Sequence, residues 1–170
     1  VLIGVVILCG FAVLWSAAGL TVLHVPLWVY GTLLFAGAAM LWTCLCLAGG
    51  RWPDATPEQA RRTRRLVGIW SGVEFIAIAI ASGVLVWRRM PGEILPAIAI
   101  VVGLHFIPLA RGLPMPPYYA TAAGLGAIGL MSFFLPKQLA WAVCGLGGAA
   151  IFCATAVWAS ARSPRRRMGS

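Results

Sequence analysis

The chain has 170 residues, 61% of them hydrophobic and 10% charged, with a mean hydropathy of +0.93. Soluble domains are about half apolar and about a quarter charged, so this composition excludes the soluble class and places the chain among integral membrane proteins. A net charge of +9 would direct a soluble protein toward nucleic acid. Here the arginines sit at the ends of apolar runs, where they orient the chain and meet anionic headgroups, so the bilayer and not nucleic acid is the expected partner.

A helix needs about 20 apolar residues to cross hydrocarbon. Six runs qualify, at about 1–23, 26–49, 66–87, 94–110, 117–135 and 138–160. The expected fold is therefore all-α, an integral membrane bundle of six transmembrane helices with short loops, forming a single domain over 1–170. The first run lacks the basic flank and cleavage site of a secretory leader and reads as a span. It ends at His24 and Pro26. After the second run, Thr56-Pro57-Glu58-Gln59 reads as an N-cap, a proline at the first helical position and a capping-box glutamine. A helix is expected to start there and run through the basic segment ARRTRR into the third span. That basic segment reads as a topology-setting collar rather than a docking surface.

The third run ends at Arg88-Arg89-Met90-Pro91-Gly92 and contains one carboxylate, Glu74. Pro114, Pro116 and Pro117 precede the fifth run, and Pro136-Lys137 the sixth. Of the thirteen Lys and Arg, ten fall on one side: Arg51, Arg61, Arg62, Arg64, Arg65, Arg111, Arg162, Arg165, Arg166 and Arg167. The other side holds Arg88, Arg89 and Lys137. An excess of basic residues marks the cytoplasmic side, which puts both termini in the cytoplasm. Three spans plus three would permit an inverted repeat, but the two halves show no persuasive match.

Several motifs invite a chemistry that their setting denies. GLGAIG at 124–129 spells the dinucleotide fingerprint, yet that motif needs a strand before it and a helix N-terminus after the turn. Small residues within a membrane helix instead let a neighbour approach closely. Gly124, Gly126, Gly145, Gly147 and Gly148 are accordingly expected to pack the fifth and sixth helices together. Of the tryptophans, Trp28, Trp52, Trp70, Trp87, Trp141 and Trp158 suit interfacial anchors, whereas Trp15 and Trp42 lie deeper and read as packing residues. Cys9, Cys44, Cys46, Cys144 and Cys153 read as reduced packing residues, without a disulfide framework or metal site. No hydrolytic signature is present, so an enzyme is not the favoured reading. His24 and His105 fall near opposite faces and cannot flank one haem; a pigment held by one histidine is left open, and no cofactor is assigned.

VVGLHFIPLA at 101–110, followed by PPYYATAAG at 116–124, resembles a helix pair in small bacterial polytopic membrane proteins that carry Gly-Leu-His-Phe-x-Pro-Leu-Ala. The resemblance covers about a quarter of the chain and implies no activity. It implies a multi-pass protein of a bacterial cytoplasmic (inner) membrane and draws attention to His105, Pro108, Tyr118 and Tyr119.

Ionisable groups within spans are expensive and usually retained for a task. At 1.5 Å per residue, Glu74 lies about 12 Å and His105 about 8 Å from the same cytoplasmic edge. The two are expected to meet, with Ser71 and Tyr118 or Tyr119 nearby, as a ligand- or proton-binding pocket. A hydrogen-bonded pair that only locks two helices is the structural alternative. Two functions follow: transport or binding of a small ligand, with proton linkage, or an accessory subunit of a larger membrane complex. Either implies a homo-oligomer or a partner subunit, because six short spans enclose little volume.

Overall fold

The computed structural model describes residues 2–48, 56–113 and 115–161. Arg51, Trp52, Pro114 and the arginines at 162 and 165–167, used above, lie outside the described residues. The described chain is all-helical: α1 Leu2–Thr21, α2 Leu27–Ala48, α3 Pro57–Trp87, α4 Ile94–Gly112, α5 Pro117–Ser132 and α6 Lys137–Ala161. A single 3₁₀ turn at Pro91–Glu93 precedes α4.

The helix ends follow from local chemistry. Pro26 bars the preceding residue from helical geometry, and His24 turns the chain with φ 50°. At the start of α3, the Gln59 amide donates to the Thr56 hydroxyl and the Thr56 amide donates to the Gln59 side chain, both at 3.2 Å. This is the capping box that the sequence spells. At the other end, Arg89 adopts φ 58° while the amides of Arg89 and Met90 donate to the carbonyls of Val86 and Leu85. An arginine therefore occupies the left-handed position that usually falls to glycine.

Among the described residues, five helices are long and apolar enough to cross a membrane; α5 is the exception. Its 16 residues span about 24 Å, short of a hydrocarbon core of about 30 Å. The expected span 117–135 is thus shorter than the sequence indicates. Residues 133–135 tighten into turns with Phe133, Phe134 and Leu135 each donating three residues back, because Pro136 disfavours helical geometry at Leu135.

Helix α6 lies at the centre, against α1, α2, α4 and α5, and α4 lies against α5. Phe152 is fully buried at this junction. Its ring meets Phe11 at 5.6 Å and Trp15 at 5.9 Å on α1, and Phe106 at 6.0 Å on α4. Since lipid tails are as apolar as these side chains, close approach and interhelical hydrogen bonds hold the bundle rather than water exclusion. Helices α5 and α6 share a hydroxyl pair, Thr121–Thr155 at 2.6 Å, and Cys144 donates to Ser132 at 3.1 Å. The sequence reading had singled out none of these hydroxyls.

The glycines divide between two interfaces. Gly124 and Gly147 lie between α5 and α6, where an added Cβ would meet Ile151 and Ile128. Gly145 and Gly148 instead face α1, against Gly19 and Trp15. Gly126 corrects the expectation outright, because a side chain there would enter open space. Two glycines missed from sequence, Gly103 and Gly129, bring α4 and α5 together; their added Cβ atoms would meet the backbone of Ala122 and Pro96. Trp15 is buried as expected, but Trp42 is 69% exposed on α2 and faces outward.

The α1–α6 contact yields the first prediction. A Cβ at Gly19 would stand 2.9 Å from the Gly145 Cα, so neither helix can yield without moving backbone. Gly145→Ala should lower thermal stability in detergent by about 1–3 kcal/mol, the usual range for overpacking. Gly126→Ala should leave it unchanged. Equal losses at both positions would contradict this placement of the helix faces.

Candidate functional site

Helix α3 rests on α4 and its preceding turn, and touches no other helix among the described residues. Of its 31 residues, one side chain is buried, and it is the carboxylate Glu74. In water an amphipathic helix turns its apolar stripe inward. Here Ile69, Phe75, Ile76 and Ile80 face outward while the acid turns toward protein, the arrangement expected where hydrocarbon is the solvent.

Two features set the level at which α3 and α4 meet. Gly112 leaves room for the Leu66 side chain at one end, and Trp141 of α6 donates to the Gly92 carbonyl at 2.8 Å at the other. From the Leu66–Gly112 contact, Glu74 and His105 are about 12 Å and about 10 Å along their helices at 1.5 Å per residue. The side chains meet there: His105 Nδ1 lies 3.5 Å from Glu74 Oε2, and each side chain is 9% exposed. The same Nδ1 lies 3.2 Å from the Trp70 carbonyl oxygen. A carbonyl can only accept, so Nδ1 carries the proton and donates it. Trp70 and Glu74 stand four residues apart on one helix face, so the carboxylate stands beside the N–H that the Trp70 carbonyl accepts.

This assignment frees the other two heteroatoms. Nε2 of His105 and Oε1 of Glu74 have no protein partner among the described residues. Both residues line a cavity of about 170 Å³, together with Trp70, Val73, Ala77, Val101 and Leu104. A cavity of about 150 Å³ admits benzene. Of its lining residues, Val73 and Leu104 are exposed, the latter to 60%. One turn further along α4, Pro108 lies inside the helix. It cannot supply the amide that would ordinarily pair with the Leu104 carbonyl.

The other residues expected at the site are elsewhere. Tyr118 is buried on the far side of α4, its ring 5.2 Å from Phe106 and its hydroxyl close to Gly4 of α1. Tyr119 is exposed and Ser71 half-buried, and neither lines the cavity. The tyrosines cannot reach it because α5 and α3 pack on different sides of α4. Trp70 was missed as a site residue; its spacing of four from Glu74 was the available signal. Cys9, Cys44 and Cys153, read from sequence as separate packing residues, come near one another where α1, α2 and α6 meet. Among the described residues, no three His, Cys, Asp or Glu side chains are grouped to hold a metal ion.

Protein-family models, curated proteins and solved structures show no match to this chain.

The pairing can be measured by a double-mutant cycle. Glu74→Gln and His105→Ala should couple by about 0.5–3 kcal/mol in unfolding experiments, the range for contacting residues. Glu74→Gln and Tyr119→Phe should be additive. Additivity at the first pair would show that the two side chains do not interact.

Proposed function

We propose that this chain is a multi-pass protein of a bacterial cytoplasmic membrane that binds a small ligand at Glu74 and His105, in the cytoplasmic half of the bundle, with proton linkage. One observation carries the reading: a buried carboxylate and the imidazole beside it are both among the residues that line a cavity between α3 and α4. A pair serving only to lock two helices would have no need of that space. The orientation rests on charge. Arg61, Arg62, Arg64, Arg65 and Arg111 lie at one end of the described bundle, and Arg88, Arg89 and Lys137 at the other, which supports both termini in the cytoplasm. The bacterial assignment rests on the resemblance of residues 101–124.

The centre of the bundle is filled by Phe152, Phe106, Trp15 and Leu125, so exchange with the cavity is lateral, from the bilayer. Translocation across the membrane would require a path built with a second copy. A second reading, an accessory subunit of a larger complex, is favoured by the outer helices. Among their described side chains, α2 and α3 bury one each, Cys44 and Glu74. Mass spectrometry after gentle extraction separates the two: a bound small molecule supports the first, and a stoichiometric partner chain the second.

Proton linkage has its own readout, because Trp70 adjoins the pair. In lipid nanodiscs, tryptophan emission should change with pH as the Glu74–His105 pair gains a proton. The change should disappear in both Trp70→Phe and Glu74→Gln. A pH response that survives in either variant would contradict proton linkage at this pair.

A further inference from the structure

We infer that the α3–α4 cavity receives the cationic head of a hydrophobic ammonium compound, which it holds in place of a proton; this rests on the ligand-site reading above. The inference follows from a count of charges. Among the described residues, one carboxylate and one imidazole line the cavity, and no lysine or arginine does. Helix α4, the one helix packed against α3, presents His105 to Glu74. Arg111 is exposed at the end of α4, and the arginines of α3 at 61, 62, 64 and 65 lie at least nine residues before Glu74. Arg88, Arg89 and Glu93 belong to the opposite end, and Tyr118 of α5 lies beyond α4.

Net charge in a low-dielectric site is strongly disfavoured, so each stable state must be close to neutral. Three states satisfy this: a carboxylate beside an imidazolium, a carboxylic acid beside a neutral imidazole, or a carboxylate and neutral imidazole with one external cation. The first two hold one more proton than the third. Cation and proton therefore compete one for one.

The hydrogen-bonding groups select in the same direction. With Nδ1–H donated to the Trp70 carbonyl, Nε2 of the neutral imidazole and the oxygens of the carboxylate are acceptors in the cation-binding state. An anion would meet like charge and no donor. A neutral hydrocarbon would leave the charge of the carboxylate uncompensated. Val73, Ala77 and Val101 supply apolar walls, Trp70 offers an indole to a cation, and exposed Leu104 stands where a tail passes into the acyl chains.

The test uses decyltrimethylammonium, whose charge does not change with pH, titrated calorimetrically into the full chain in nanodiscs, with empty nanodiscs subtracted. A neutral analogue with a tert-butyl head and a decanesulfonate complete the series. The cation should bind saturably, one per chain, and tighten about tenfold per pH unit through the range where the pair loses its proton. The neutral and anionic analogues should show no saturable binding. Glu74→Gln should abolish cation binding, whereas Glu74→Asp, which keeps the charge, should retain both the binding and its pH slope. Equal binding of the neutral analogue, a flat pH dependence, or unchanged binding in Glu74→Gln would overturn the inference. If Trp70 emission still reports the proton but no cation binds, this ligand class is wrong and the proton-linked pair stands. If neither response is seen, both readings fall.

Discussion

In hydrocarbon no solvent can satisfy a backbone amide or a charge, and this constraint governs both the fold and the candidate site. It requires helices, and it deprives them of the hydrophobic force that assembles bundles in water. Helices α1 and α6 accordingly associate where two glycines, Gly19 and Gly145, bring backbone against backbone. Helices α5 and α6 add a hydroxyl pair and a thiol–hydroxyl bond to their glycine contacts. Helix α3 has fewer such contacts. Its polar link to the rest of the molecule is the group formed by Glu74, His105 and the Trp70 carbonyl, so a peripheral helix carries the candidate site.

That placement has a functional consequence. A seam between a peripheral helix and α4 can open without disturbing the aromatic junction around Phe152. Groups buried in the central bundle, such as Thr121 and Thr155, are paired with each other and are closed to ligand. At the α3–α4 seam, Glu74 and His105 line a cavity, and on the proposed reading their exchange partner is the bilayer rather than an aqueous channel. On the proposed reading, a site that is neutral only with one bound positive charge would convert proton availability into ligand occupancy.

The parts of this account legible in the sequence are those fixed by local covalent chemistry and helical rise. Prolines and the Thr56 capping box mark helix ends because they act within a few residues. Rise along an axis gave Glu74 and His105 the same level. Rotation about the axis was not legible. Helices α1 and α2 are apolar all round, so no polar stripe records which face meets protein. For the same reason, the expectations failed at Gly126, Trp42 and Tyr118, each at a suitable depth but turned to another face. The short α5 escaped notice because Phe133, Phe134 and Leu135 are apolar, and hydropathy does not register the backbone effect of Pro136.

The central claim is that His105 donates through Nδ1 to the Glu74–Trp70 face and keeps Nε2 free. Nitrogen NMR of ¹⁵N-histidine-labelled protein in nanodiscs tests it directly. The chain has two histidines, and His24→Asn isolates the signal of His105. Neutral His105 should appear as the tautomer protonated at Nδ1, and its titration should shift when Glu74 is replaced by glutamine. A neutral ring protonated at Nε2, or a titration unaffected by that replacement, would contradict the account.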